Sequence, residues 1–238
     1  MNIFQIFISE NIEPLPPALV ATTEAAKRTY AGHSYTLYRG DELRAFIAEH
    51  FERDVVRAYD CLRPFAYKAD LGRLCLLHER GGLYMDITTQ PLLPLHVHED
   101  VRAVLFRDLN LMLPYGWGVH NGFMYAQPKM AFLARAIEMI VAHCKERIYC
   151  QTPFSITGPG LLGRALAASG EDRGFIYGDR LPLTPLHPNK NFGFVLPGGD
   201  IVAWGKRTGN GGDMTPFGMV SANNYKTMWL ARDVFNPF

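Results

Sequence analysis

The sequence predicts a single α/β domain over residues 1–238, with a mostly parallel central sheet, flanking helices and an irregular C-terminal part. Three observations lead there. Helical and strand periodicities alternate through residue 150, the pattern of a sheet covered on both faces. The 238 residues are 48% hydrophobic and 20% charged, enough apolar side chain for one sizeable core. No internal repeat, linker or low-complexity stretch divides the chain.

Residues 3–8, Ile-Phe-Gln-Ile-Phe-Ile, read as a buried first strand. They lack the basic flank and the length of a secretion signal. Pro14, Pro16 and Pro17 stop this strand and start a helix near Ala18. Tyr35-Thr36-Leu37-Tyr38 alternates and is rich in strand formers, giving a second strand. Asp41 is expected to cap the helix that carries Leu43, Phe46, Ile47, His50 and Phe51 as a stripe. Pro64 opens the next helix, with Phe65, Ala69, Leu74 and Leu77 as apolar positions, and Gly81-Gly82 ends it. Short strands follow at 83–85, 102–106 and 122–126. Met130, Leu133, Ile137, Ile140, Val141 and Cys144 mark the most regular amphipathic helix. Gly158-Pro159-Gly160 opens a helix to Leu166. Residues 177–204 are short apolar pieces broken by Pro and Gly, and 205–212 reads as a loop.

Charge and cysteine usage exclude several function classes. Twenty-four Lys and Arg against 23 Asp and Glu leave +1, with no basic field for nucleic acid or an anionic membrane. Cys61, Cys75, Cys144 and Cys150 form no C-x-x-C pair, so a reduced, cytoplasmic chain without zinc is expected. No apolar run reaches membrane-spanning length. His96 and His98, followed by Glu99 and Asp100, read as a solvated loop. Gly209-Asn210-Gly211-Gly212-Asp213 lacks the Gly-Lys-Ser/Thr ending of a phosphate loop. Ser155, Ser169 and Ser221 lie in no Gly-x-Ser-x-Gly elbow.

The chemistry concentrates in Ala66-Tyr67-Lys68-Ala69-Asp70-Leu71-Gly72-Arg73 and, after a helical stretch, Gly81-Gly82-Leu83-Tyr84-Met85-Asp86-Ile87-Thr88. Asp70 and Arg73 share a helix face. The glycine pair turns the chain back, and Asp86 emerges at the carboxyl end of a strand, where open α/β sheets place ligands. Two carboxylates and a guanidinium suit a polyol phosphate. A surface i,i+3 ion pair and an Asp in a turn would show the same spacing.

Ala69-Asp70-x-x-Arg73 followed by Gly81-Gly82-x-Tyr84-x-Asp86 resembles the signature of the sugar-transferring enzymes of glycosyltransferase family 32. It is similar also to the catalytic domains of the large glucosylating bacterial toxins. The match is specific over residues 67–91. It implies a GT-A-like fold, a nucleoside diphosphate sugar donor (uridine-linked), retention of anomeric configuration, and a hydroxyl of a glycan or glycoconjugate as acceptor. Residues 4–8 are similar to the family's first strand, whose final aromatic stacks on the base; that would be Phe7. His120-Asn121-Gly122-Phe123-Met124 resembles the segment whose Asn approaches the donor sugar. Residues 223–229 resemble the closing segment that brings a metal ligand, a hydroxyl and a Trp to the diphosphate. Those roles would fall on Asn224, Thr227 and Trp229.

The resemblance thus implies Asp86 and Arg73 as catalytic residues. It implies Phe7, Asp70, Arg73, Asp86, Thr88, Asn121, Thr227 and Trp229 as the donor site, and Asp86, Thr88 and Asn224 around a Mn²⁺ or Mg²⁺ ion. Two positions depart from the family. Thr88 stands where the second Asp of Asp-x-Asp is usual, and Asn224 where a His or an acid is common. Both are neutral oxygen donors, so an ion would be held chiefly by Asp86 and the diphosphate, or replaced by Lys206, Arg207 or Lys226. The same departures leave a non-catalytic nucleotide-sugar-binding module as the alternative. A nucleotidyltransferase would need a glycine-rich loop after the first strand, which residues 10–17 do not supply. The expected partners are the sugar nucleotide and the acceptor, with no nucleic acid and no membrane span. Peripheral association with a glycan-synthesis complex stays open.

Overall fold

Alternating side chains of β1 (Asn2–Phe7) divide the core in two. Phe4 and Ile6 enter the larger cluster, Ile3 a second one on the other face, and Phe7 a small third one. The computed structural model describes residues 1–10, 14–108, 116–182, 192–205, 214 and 223–238. After β1 come α1 (Pro17–Thr29), β2 (Ser34–Arg39), α2 (Gly40–His50), α3 (Arg53–Cys61) and α4 (Phe65–Arg80). Then follow β3 (Gly82–Met85), β4 (Thr89–Pro91), β5 (Ala103–Asp108), β6 (Val119–Ala126) and α5 (Ala131–Glu146). A 3-10 turn (Pro153–Ser155) leads to α6 (Pro159–Ser169), β7 (Phe175–Pro182), β8 (Phe192–Val195), β9 (Ile201–Gly205) and α7 (Tyr225–Leu230).

The strands form one sheet in the order β2-β1-β3-β6-β5-β7-β8-β9-β4. Residues of α2 through α6 contribute to the larger cluster, with Phe4, Tyr84, Leu105 and Met124 of the sheet beneath them. Ala26 of α1 and Tyr30 at its C-terminal cap cover the opposite face over Leu83, Val104 and Phe123. The α/β class is as expected, but the sheet is mixed. Pairs β1–β2, β1–β3 and β5–β7 are parallel, and the other five are antiparallel. The helix–strand alternation that suggested a parallel sheet ends at β3. Hairpin-like returns then build the far half, and single-strand periodicity carries no direction.

One short connection bends the whole sheet. β3 is third in the order and β4 ninth, yet only three residues separate them. Four Cα steps span at most about 15 Å, whereas six flat strand spacings would need about 29 Å. The sheet must therefore curl until β4 returns beside the end of β3. It closes there through the β4–β9 pairing, Thr89 opposite Gly205.

Local expectations differ from the structure at a few places. Asp41 lies within the first turn of α2, not at its cap; Arg39 precedes the helix, and its N–H donates to the Glu42 carboxylate at 2.8 Å. α3, which brings Val55, Ala58 and Tyr59 into the core, was not expected. Its nine residues make only about two and a half turns, too few to repeat an apolar stripe. Gly81 ends α4 with φ +60°, as the glycine pair suggested. His98 sits exposed and hydrogen-bonded to Asp100, and the four cysteines are unpaired. The 206–213 segment, with Lys206, Arg207 and the glycine-rich run, lies outside the described residues, as does Ser221. No described helix is long and apolar enough to cross a membrane.

Gly82 begins β3 with φ +122°, and a Cβ there would collide with the backbone carbonyl of Asn2 on β1. Replacing it with Ala is expected to cost about 2–4 kcal/mol, from the strained backbone and the forced separation of β1 and β3. A urea-unfolding midpoint equal to that of the wild type would contradict this.

Candidate active site

The carboxyl ends of β1, β3, β5 and β7 and the amino end of β6 lie along one edge of the sheet. Asp86 leaves β3 at that edge. Its N–H donates to Gly122 O at 2.7 Å, and its carbonyl accepts from Thr89 N at 2.8 Å, closing a turn over Ile87 and Thr88. Buried Gln5 also donates to that carbonyl, at 3.3 Å, and itself accepts from Tyr35 Oη at 2.7 Å. The Asp86 side chain is 37% exposed. Its Oδ1 accepts from Tyr84 Oη at 2.9 Å and lies 3.1 Å from Arg73 Nη1. Its Oδ2 faces the space over Gly122, where any Cβ would overlap it. A side chain at position 122 would displace that oxygen.

Arg73 lies beneath, its side chain only 6% exposed. Nε donates to Ala69 O at 3.1 Å, and Nη1 donates to Asn121 O at 2.8 Å as well as pairing with Asp86. Nη2 pairs with Asp70 Oδ1 at 3.1 Å, and the guanidinium sits 4.5 Å over the Tyr84 ring. Burial would lower the pKa of this group, but Asp86, Tyr84 and Asp70 outweigh it and hold the pKa above the usual value. Arg73 is therefore a permanent cation inside the protein.

Asp70 is buried as well. Oδ1 accepts from Asn121 Nδ2 at 2.9 Å, and Oδ2 from the buried Thr157 Oγ1 at 2.7 Å. Burial pushes its carboxyl above the ordinary range, against the pull of Arg73, Thr157 and Asn121. Paired groups of this kind need every hydrogen bond they have. The network ties α4, β3, β6 and the segment before α6 together.

This placement differs in four respects from the sequence-based expectation. Asp70, Arg73 and Asn121 do come together with Asp86, but as a buried scaffold beneath it. Most of the polar atoms of these three residues are already bonded to protein, and Asp86 is the most exposed of the four. Phe7 is 5% exposed, packed with Leu19 and Ile87, and has the Arg39 guanidinium 4.9 Å over its ring. It is a core aromatic, because odd positions of β1 point toward α1. Trp229 donates its Nε1 proton to Tyr149 O at 2.8 Å and packs against the main core. Thr227 is exposed on α7, and Asn224 Oδ1 caps that helix, accepting from Lys226 N at 3.1 Å and Thr227 N at 3.0 Å.

The residues available to a divalent ion are consequently few. Asp86 and the half-buried Thr88 on the same turn are the hard oxygen donors beyond the end of β3, whereas the Asn224 carbonyl oxygen is engaged in its cap. Among the described residues no group of three His, Cys, Asp or Glu side chains is gathered. So few charged oxygen donors would hold a resident divalent ion only weakly without further ligands.

Sequence reasoning passed over Gln5, Thr157, Gly122 and His120. Tyr84 was legible in principle, since it stands two residues before Asp86 and so shares its strand face. The others have no local signal: Thr157 meets Asp70 across 87 residues of chain. Two substitutions separate scaffold from site. Arg73→Leu leaves Asp70 buried and uncompensated, and should cost about 3–5 kcal/mol in urea unfolding. Asp86→Asn, half-exposed, should cost less than about 1 kcal/mol. The reverse ranking would contradict this division of labour.

Residues 19–104 match the family described as the glycosyltransferase sugar-binding region containing a DXD motif. A glycosyltransferase of Acanthamoeba polyphaga mimivirus, itself described as uncharacterized, is 31% identical over 85 residues. That alignment covers 36% of this chain and 34% of the relative, so the chain matches about a third of the length of that protein. Among solved structures, the PaToxG glycosyltransferase superposes with a TM-score of 0.53 at 12% identity, covering 71% of this chain and 68% of the other. That likeness is one of fold. Asp70, Arg73 and Asp86 lie inside the matched segment; Phe7, Asn121, Asn224, Thr227 and Trp229 lie outside it. From α1 to the start of β5 the chain is thus similar to the glycosyltransferase sugar-binding region, on a GT-A-like α/β scaffold.

Proposed function

We propose that the crevice at Asp86 binds a nucleoside diphosphate sugar, uridine-linked, and that the chain transfers the sugar with retention of configuration to a hydroxyl of a glycan or glycoconjugate. The observation that carries this reading is Asp86 itself. It is a carboxylate at a strand end, fixed through one oxygen by Arg73 and Tyr84, with its side chain 37% exposed. A sugar hydroxyl donates to such an oxygen, and a carboxylate that cannot rotate orients the ring it holds. Arg73 acts through Asp86, setting its angle.

Asp70 is buried and accepts three interactions, which makes it a poor nucleophile. We therefore favour attack by the acceptor oxygen on the face the diphosphate leaves. The bond from the acceptor oxygen to the anomeric carbon forms as the bond to the diphosphate breaks, and a diphosphate oxygen takes the acceptor proton. A manganese or magnesium ion, shared between Asp86, Thr88 and the diphosphate, would neutralise the charge of the leaving group. The unpaired thiols fit a cytoplasmic setting.

The neutral Thr88 favours one competing reading, a module that binds sugar nucleotides without transferring them. Release of uridine diphosphate from a panel of uridine diphosphate hexoses, with and without Mn²⁺, separates the two. Transfer or hydrolysis by the wild type is expected, falling at least about a hundredfold in Asp86→Asn at unchanged melting temperature. Binding without turnover under every condition would favour the module. Undiminished turnover in Asp86→Asn would remove that residue from the site.

A further inference from the structure

His120 occupies the amino end of β6, next to Asn121 and across Gly122 from Asp86. The Gly122 N–H donates to its Nδ1 at 3.0 Å. A ring nitrogen that accepts from an N–H carries no proton, so the imidazole is neutral and its one proton is on Nε2. Burial pushes the pKa of this imidazole well below its usual value, and Arg180 and Arg73 push it the same way, in agreement with that assignment. Phe194 meets the ring edge-on, with centroids 5.1 Å apart, and holds its plane. Among the described residues Nε2 has no hydrogen-bond partner.

The position of the ring gives this donor a use. A Cβ placed on Gly122 would lie 2.7 Å from His120 Cε1 and would also overlap Asp86 Oδ2. The imidazole edge and the carboxylate oxygen thus both pack over Gly122, side by side, with no side chain at that position to part them. One side offers a fixed N–H donor and the other a fixed anionic acceptor. A hydroxyl group both accepts and donates, and is the simplest group that satisfies both.

We propose that His120 is a specificity-determining residue that, with Asp86, clamps one hydroxyl of the bound sugar nucleotide, its oxygen accepting from His120 Nε2 and its proton going to Asp86 Oδ2. This rests on the function proposed above. The hydroxyl belongs either to the transferred hexose or to the ribose, and the clamp selects ligands that carry it over their deoxy analogues.

Two substitutions divide the roles of the ring. His120→Asn keeps an acceptor near the Nδ1 position for Gly122 N–H but removes the Nε2 donor. His120→Gln carries an amide N–H out to the Nε2 position and loses the acceptor. Calorimetric titration of wild type and both variants with uridine diphosphate and with uridine diphosphate hexoses reads the difference, and thermal melting reports the fold. His120→Asn is expected to melt like the wild type and to bind the hexose nucleotides about tenfold more weakly, with His120→Gln closer to wild type. If uridine diphosphate alone binds His120→Asn normally, the clamped hydroxyl is on the hexose; if it weakens equally, the hydroxyl is on the ribose. Wild-type affinities in His120→Asn, or weak binding only in His120→Gln, would overturn the clamp and leave the ring a structural partner of Gly122, with the parent reading intact. A wild type that binds none of these nucleotides overturns both.

Discussion

The guanidinium of Arg73 makes four polar contacts to three elements, and the geometry of the crevice follows from it. It binds the Ala69 carbonyl and Asp70 on α4, the Asn121 carbonyl on β6, and Asp86 beyond the end of β3. Each of those groups would otherwise be a buried acceptor or a carboxylate free to rotate. Lys could not replace it, since one ammonium cannot present a planar fork to partners in several directions. Buried ion pairs of this kind add little net stability over an apolar core, yet their loss is severe. Their contribution here is orientation: Asp70 holds Arg73, Arg73 holds Asp86, and Asp86 alone of the three is open to a ligand.

A covalent constraint places this network at the right edge. Gly81 and Gly82, both at positive φ, reverse the chain between the end of α4 and β3. That reversal sets α4 against the sheet with Arg73 beneath the strand end that carries Asp86. The three-residue connection to β4 then forces the sheet to curl, so the edge strand returns to the same rim. The hydroxyl clamp at His120 depends on the same arrangement, because β6 pairs directly with β3 and only a glycine at position 122 lets His120 and Asp86 pack side by side.

Much of this was legible in the sequence, for identifiable reasons. The apolar periods of α2, α4, α5 and α6 and the glycine pair are local, and they gave elements near their observed positions. The Ala69–Arg73 and Gly81–Asp86 motifs pointed to residues that the fold brings side by side. Their depth was not legible. Arg73 and Asp70 owe their burial to Asn121 and Thr157, 48 to 87 residues away along the chain. The same limit explains Phe7, buried because α1 covers odd positions of β1, and Trp229, whose indole N–H is taken by Tyr149. Strand direction in the far half of the sheet also escaped, since alternation is the same in parallel and antiparallel strands.

The central claim is that Arg73 positions Asp86 from within the protein while Asp86 meets the sugar nucleotide. A crystal structure of the complex with a uridine diphosphate hexose tests it most directly. The account predicts the nucleotide at the rim formed by β3 and β6, Asp86 in contact with it, and Arg73 still bonded to the Asn121 carbonyl and to Asp70. A guanidinium turned out of this network onto the diphosphate, or a nucleotide bound away from the end of β3, would contradict it.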